Sequence, residues 1–343
     1  MLSVGKTPSE TFTDKLTGLV IYMNFEFAPM EGVTGYIYRR THARFFPGVP
    51  RYYAPFIAPD GQGRFKHSSL RDVLPENNKG LSLVPQILCS DAGAFLSVAR
   101  ELAALGYDEV NLNAGCPSAT VVPKHKGAGM LSDPDELDAF LQEVFSLSPV
   151  KVSVKTRLGL EDSDEFSALM EVYRRYPLSR LIIHARPRSG FYKSVPELSA
   201  FAQAFEGGAP FPISYNGDIF CPADLLRVSK AAPGLEEIML GRGAAANPAL
   251  FRVLTGGAAL EKEELREFHA ALLSDMRGAG ISEQHILPRM KELWFYMLHM
   301  FPGAAREAKA LNKARSMPDY LSAVSALFSS GYFDQNAVFI PPK

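Results

Sequence analysis

Eight short apolar segments, each ending in or near a polar or reactive residue, recur along the chain with helical patterns between them, and they restrict the fold more than any other feature. They occupy residues 24–28, 52–57, 83–88, 109–113, 150–155, 180–184, 212–216 and 237–240. Helical patterns fall between them at 91–105 with Gly106 as stop, at 133–145 with Pro134 near its start, at 163–176 with Pro177 beyond it, and at 222–232 before Pro233 and Gly234. Strands joined through helices run parallel, and eight of them in succession argue for a closed (β/α)8 TIM barrel rather than an open doubly wound sheet. No Gly-x-Gly-x-x-Gly follows the first segment, which counts against the open alternative.

Beyond Phe251 the pattern is helical only, with expected helices at 263–276, 283–301, 304–314 and 318–329. The Met and Trp residues of the second follow helical spacing and read as bundle core. The expected organisation is an α/β protein with a polar lead-in over 1–17, a barrel over 18–255 and a small C-terminal helical bundle over 256–343. At 47% hydrophobic and 21% charged residues the chain has the composition of a soluble globular protein, which excludes a disordered one. Three cysteines without CxxC or zinc spacing point to a reducing cytoplasm and no metal. The apolar run at 18–23 is too short to span a membrane. A net charge of −1 gives no global case for nucleic acid, yet residues 285–316 hold Arg289, Lys291, Arg306, Lys309, Lys313 and Arg315 against only Glu292 and Glu307.

Polar or reactive residues stand at or just past nearly every strand end: Met30, Gln86, Asn113, Lys155, Arg157, His184, Arg186, Asn216, Asp218, Gly241 and Arg242. A barrel brings those ends to one mouth, where barrel enzymes keep their chemistry. Cys116 is the sharpest of these signals. It follows an alternating strand, sits between Gly115 and Pro117 on a stiff turn, and precedes the cationic stretch Lys124, His125, Lys126 with Gly127 and Gly129, so it reads as a reactive thiol rather than an inert one. The glycine loops Asn216-Gly217-Asp218 and Gly241-Arg242-Gly243 follow the last two strands, where barrels commonly bind phosphate, and residues 244–251 could form the short helix facing that anion. Lys155 either snorkels to solvent or points at a negative group in the mouth. His184 is a rim histidine or a ligand contact, and Gln86 reads a ring edge or ties two strands together.

Taken together, Ala28-Pro29-Met30 with Glu31 to Gly35, Asn113-Ala114-Gly115-Cys116-Pro117, Lys126 to Gly129, Lys155-Thr156-Arg157, His184-Ala185-Arg186, Asn216-Gly217-Asp218 and Gly241-Arg242-Gly243 resemble the tRNA-dihydrouridine synthase family, in the family's order. The stretch from Lys291 through Arg315 resembles the start of its helical RNA-binding region. The resemblance implies FMN-dependent reduction of particular tRNA uridines to dihydrouridine, with hydride passing to uracil C6, Cys116 protonating C5, and NADPH re-reducing the flavin. It implies cofactor contacts at Ala28, Pro29, Met30, Gln86, Lys155, His184, Asn216, Gly217, Asp218, Gly241 and Arg242. It places the substrate uridine near Asn113, Arg157 and Arg186, while Lys124 and Lys126 are expected to add to the RNA surface. The partner expected is tRNA, met by a monomer. The sequence departs from the family pattern at Gly35, at Met130-Leu131 and at Ala185-Arg186-Pro187-Arg188. Two other readings stay open: an FMN barrel oxidoreductase acting on a free pyrimidine, motivated by the near-neutral charge, and a non-catalytic flavin-containing RNA-binding protein, motivated by those departures.

Overall fold

A computed structural model describes residues 10–13, 20–60, 63–64 and 67–342. Most of the lead-in read over 1–17 lies outside the described residues. Its described part, Glu10–Thr13 (β1), is a strand antiparallel to the start of Val20–Phe27 (β2), with Glu10 opposite Met23. The alternating Thr and Phe residues of β1 favour that extended pairing.

Eight further strand segments follow: Arg51–Tyr53 (β3), Leu83–Val84 (β4), Gln86–Ile87 (β5), Glu109–Ala114 (β6), Lys151–Arg157 (β7), Leu181–His184 (β8), Ile213–Asn216 (β9) and Glu237–Leu240 (β10). From β2 to β10 all pairings are parallel, in the order β4-β3-β2-β10-β9-β8-β7-β6-β5. β4 and β5 are halves of one strand divided at Pro85, which has no N–H to give to a ladder, although its carbonyl still accepts from Asn111 N at 2.8 Å. One half pairs with β3 and the other with β6, so the ring of eight strands closes through this residue. The strand expected over 52–57 is shorter, because Pro55 interrupts it and Ile57 rejoins only as a single bridge to Ile87.

Inward side chains alternate with outward ones along each strand. The N-terminal end of the barrel is plugged by charge rather than by aliphatic layers. Glu26 accepts from Tyr53 Oη at 3.1 Å and Ser214 Oγ at 2.9 Å and lies 2.9 Å from Arg180 Nη1, while Arg180 also binds Glu237 and Arg51 pairs with Glu109 at 3.0 Å. Burial pushes the Glu26 carboxyl upward against the pull of Arg180. With its floor filled in this way, the barrel opens at the strands' C-terminal ends.

The helix Tyr36–Phe45 shows no apolar stripe because its buried face includes Arg39, Thr41 and His42. Arg39 donates to Thr34 O at 2.7 Å and Asn78 Oδ1 at 2.9 Å, and His42 bonds Tyr52 Oη at 3.0 Å and Pro248 O at 2.9 Å. Phe268 of the helix Lys262–Gly278 packs against Tyr38, Phe45 and Phe46. The helices Glu283–Met297, Ala305–Lys313 and Met317–Ser329 follow, and one continuous apolar core runs from the strands into them. Among the described residues no helix is long and apolar enough to cross a membrane, and no group of three or more His, Cys, Asp or Glu side chains is placed to hold a metal ion.

Two buried histidines make this core acid-sensitive. Desolvation lowers His42 and His269 from the usual 6.5 to about 4. The unfolded chain therefore binds these protons first as pH falls, so stability is full above about 6.5 and declines toward pH 4, by about 1.4 kcal/mol per unit of displacement. The urea midpoint is expected to drop between pH 7 and 4.5, and to drop less in a His42→Gln/His269→Gln double variant; equal drops would assign the acid sensitivity to other groups.

Candidate active site at the barrel mouth

Strand register assembles the mouth. Asn113 of β6 lies beside Lys155 of β7, Arg157 beside His184 of β8, and His184 beside Asn216 of β9. Asn113, Lys155, His184 and Asn216 line a cavity of about 610 Å³ together with Ala28, Pro29, Met30, Gln86, Cys116, Gly217, Asp218, Gly241 and Arg242. Every residue that the sequence resemblance assigned to a cofactor thus faces one space, together with the thiol.

Cys116 is held by a relay of amides. Asn113 Oδ1 accepts from Gly115 N at 3.1 Å and Cys116 N at 2.9 Å, and its Nδ2 donates to Gln86 Oε1 at 2.8 Å. Gln86 Nε2 donates to Asn111 Oδ1 at 2.7 Å, and Asn111 Nδ2 to Ser153 Oγ at 2.9 Å. The open question about Gln86 is thereby answered in part, since its amide ties strands together while lining the cavity. From below, Ala128 N donates to Cys116 O at 3.0 Å. Gly127 has φ +57°, and a Cβ there would fall 2.8 Å from Cys116 Cβ, so only glycine lets this loop pack so closely. Residues 127–131 are buried in a 3-10 turn, a packed support for the cysteine.

Burial raises the half-buried Cys116 thiol above its usual range, outweighing Ser118 N–H, Arg157 and Lys155, which favour thiolate. The thiol is therefore protonated at neutral pH. Desolvation, reinforced by Arg157, lowers the Lys155 ammonium to about 7. His184 is driven well below its usual value by burial and by Arg157, Lys155, Arg186 and Arg242. Because an arginine can only donate, Arg186 Nη1 at 3.0 Å makes His184 Nε2 an acceptor and leaves the proton of the neutral ring on Nδ1.

Arg157 and Arg186 stand behind the cavity wall rather than on it. Arg157 donates to Gly115 O at 2.9 Å and to Pro187 O and Phe191 O at 3.0 and 2.9 Å, which links the cysteine turn to the loop after β8. Its guanidinium lies 5.3 Å from the Tyr192 ring centroid, and its buried Nη2 has no hydrogen-bond partner. Arg186 donates to Ser194 O at 2.6 Å and pairs with Asp218, which also pairs with Arg242. Lys124 is exposed on the turn after Cys116, and Lys126 lines a separate depression with Cys89 and Asp91. Residues 244–251, expected to form one short helix, are divided between two, Arg242–Ala246 and Leu250–Leu254, with Asn247 and Pro248 between them.

Several lining residues were not assigned to the site from sequence: Glu31, Phe191, Tyr192, Phe295, Tyr296 and Phe339. The clue for the β8 loop was two adjacent aromatics in a polar, glycine-containing turn, and Phe191 there adopts φ 45°, a left-handed conformation costly for a bulky residue.

A closed parallel barrel with its polar side chains gathered at the C-terminal ends of the strands places this chain among the barrel enzymes. Morphinone reductase superposes with a TM-score of 0.50 at 13% identity, covering 75% of this chain and 93% of that one, a likeness of fold alone. Residues 26–330 match the family described as dihydrouridine synthase, and the chain belongs to that family, a group of oxidoreductases acting on tRNA. The tRNA-dihydrouridine synthase B of Pseudomonas syringae pv. tomato is 27% identical over 321 residues, 89% of this chain and 91% of that protein. A tRNA-dihydrouridine(16) synthase of Cupriavidus necator is 28% identical over 300 residues, 83% and 91% of the two chains.

Proposed function

We propose that this chain, as a cytoplasmic monomer, reduces uridines of tRNA to 5,6-dihydrouridine, with FMN at the barrel mouth, NADPH as reductant and Cys116 as the acid that protonates uracil C5. The observation that carries the reading is a thiol kept protonated by burial and fixed by Asn113 on the wall of the cavity that Lys155 and the two glycine loops also line. We assign residues 18–255 to the catalytic barrel and 256–343 to the helices that meet tRNA.

The residues fit the cofactor. Lys155, Arg157, Arg186 and Arg242 crowd His184, with Asp218 paired to two of them, and Arg157 Nη2 is buried without a partner. Such a cluster suits a group that brings negative charge. Met30, Gln86, Lys155, Asn216, Gly241 and Arg242 would hold it, and FMN when bound and reduced supplies the hydride for uracil C6. The chain's own part is to orient the base, exclude water, and hold a proton at Cys116 Sγ until C5 takes it, after which the thiolate regains a proton from solvent.

The deciding experiment incubates unmodified tRNA with protein, FMN and NADPH and measures dihydrouridine by nucleoside mass spectrometry. Dihydrouridine supports the reading; NADPH oxidation without it, accompanied by reduction of free uracil, replaces it with the small-molecule pyrimidine reading. Lys155 adds a pH signature. With its ammonium at about 7, an anion that binds beside it favours the charged form, so FMN binding takes up a proton above pH 7 and weakens as pH rises. Calorimetric titrations in buffers of different ionisation enthalpy are expected to show that uptake at pH 8 and its loss in Lys155→Met; identical proton counts would remove Lys155 from the cofactor site.

A further inference from the structure

The matched stretch ends at residue 330, yet the segment after it returns to the cavity. Tyr332 packs over Gly303, where a Cβ would meet its ring at 2.3 Å; Phe333 lies 5.4 Å from Phe301; and Asp334 N donates to Met300 O at 2.8 Å. Pinned there, the chain runs back to the mouth and inserts Phe339, 6% exposed, among four rings: Phe220 after β9, then Phe295, Tyr296 and His299, at 5.5 to 6.2 Å between centroids. Phe339 lines the main cavity together with Phe295, Tyr296 and Pro342, while Tyr192, Lys193 and Arg242 line it from the β8 and β10 loops.

We propose that Phe295, braced by the buried Phe339 and by Tyr296, is a specificity-determining stacking wall for a nucleobase that flanks the reacting uridine. The inference rests on the tRNA reading above. Cys116 and the cofactor residues claim the barrel end of the cavity, which leaves the wall contributed by the C-terminal segment for a different part of the substrate. Its chemistry is aromatic on one side, with Phe295 51% exposed, and cationic on the other through Lys193 and Arg242. Aromatic faces beside cations are the combination that holds unpaired bases and their backbone. Merely closing the cavity would call for apolar bulk; reading a base calls for a π-face.

The test therefore separates a ring from bulk. Phe295→Ala, Phe295→Leu and Phe295→Tyr are compared with wild type at equal flavin content, reading both dihydrouridine formation from unmodified tRNA and direct binding of labelled tRNA. Alanine and leucine are expected to lower kcat/KM about ten- to a hundredfold with a parallel loss of affinity, and tyrosine to stay within about threefold of wild type. A leucine variant equal to wild type in both readouts would reduce Phe295 to apolar bulk and overturn the proposal. Should wild type bind tRNA but form no dihydrouridine, the reaction reading fails while the order of affinities still judges the wall: Phe and Tyr above Leu and Ala supports it, and four equal affinities overturn it.

Discussion

Cys116→Ala is expected to lower the rate of dihydrouridine formation by about 10²–10⁴-fold while flavin and tRNA remain bound. The size follows from what the substitution removes and what it spares. The turn is fixed through its backbone, by Asn113 Oδ1 on Gly115 N and Cys116 N and by Ala128 N on Cys116 O, so alanine leaves its position unchanged. Only the proton at Sγ is lost, from a group that burial keeps protonated at the pH where the enzyme works. Serine restores a hydroxyl at nearly the same place but a far weaker acid, and is expected to recover little. Single-turnover reduction of unmodified tRNA by the pre-reduced enzyme is the measurement that isolates this step. A wild-type rate in the alanine variant would place the proton source elsewhere, among solvent or the residues across the cavity.

The same support shows why so much of the mouth could be read from the sequence. In a parallel barrel a strand end is also a site position, so Gln86, Asn113, Lys155, His184 and Asn216 announce themselves simply by closing apolar runs, and register does the rest. The helix Tyr36–Phe45 was hidden for the opposite reason. Its inner face buries Arg39 and His42, whose partners at Asn78, Tyr52 and Pro248 lie far along the chain, and no periodicity rule anticipates a buried guanidinium. The family resemblance places Arg157 and Arg186 near the substrate, and in the fold carbonyls of the β8 loop and Asp218 hold both behind the cavity wall. Phe339 is the extreme case. Its neighbours are Phe220 and Phe295, and only the folded core brings them together.

Asp218→Asn is expected to destabilise the fold by about 3–5 kcal/mol, the cost of leaving a buried charge without its partner. Asp218 bridges Arg186 and Arg242, and the two arginines are not equivalent. Arg186 is almost fully enclosed, at 1% exposure, and keeps only neutral acceptors, the Ser194 carbonyl, the His184 ring and the new amide oxygen, once the carboxylate is gone. Arg242 reaches the cavity, where water and any bound anion can replace the lost charge. Most of the penalty therefore falls on Arg186, and Arg242→Gln, which leaves the Arg186–Asp218 pair whole, is expected to cost about 1 kcal/mol or less. Urea unfolding of both variants reads the difference directly. Because the triad sits beside the proposed phosphate end of the cofactor, added FMN is expected to restore part of the Asp218→Asn loss by binding the folded state alone. Equal midpoints for wild type and Asp218→Asn would mean that Arg186 finds its charge balance elsewhere, and an equal loss in both variants would shift the weight of the triad to its cavity-facing half.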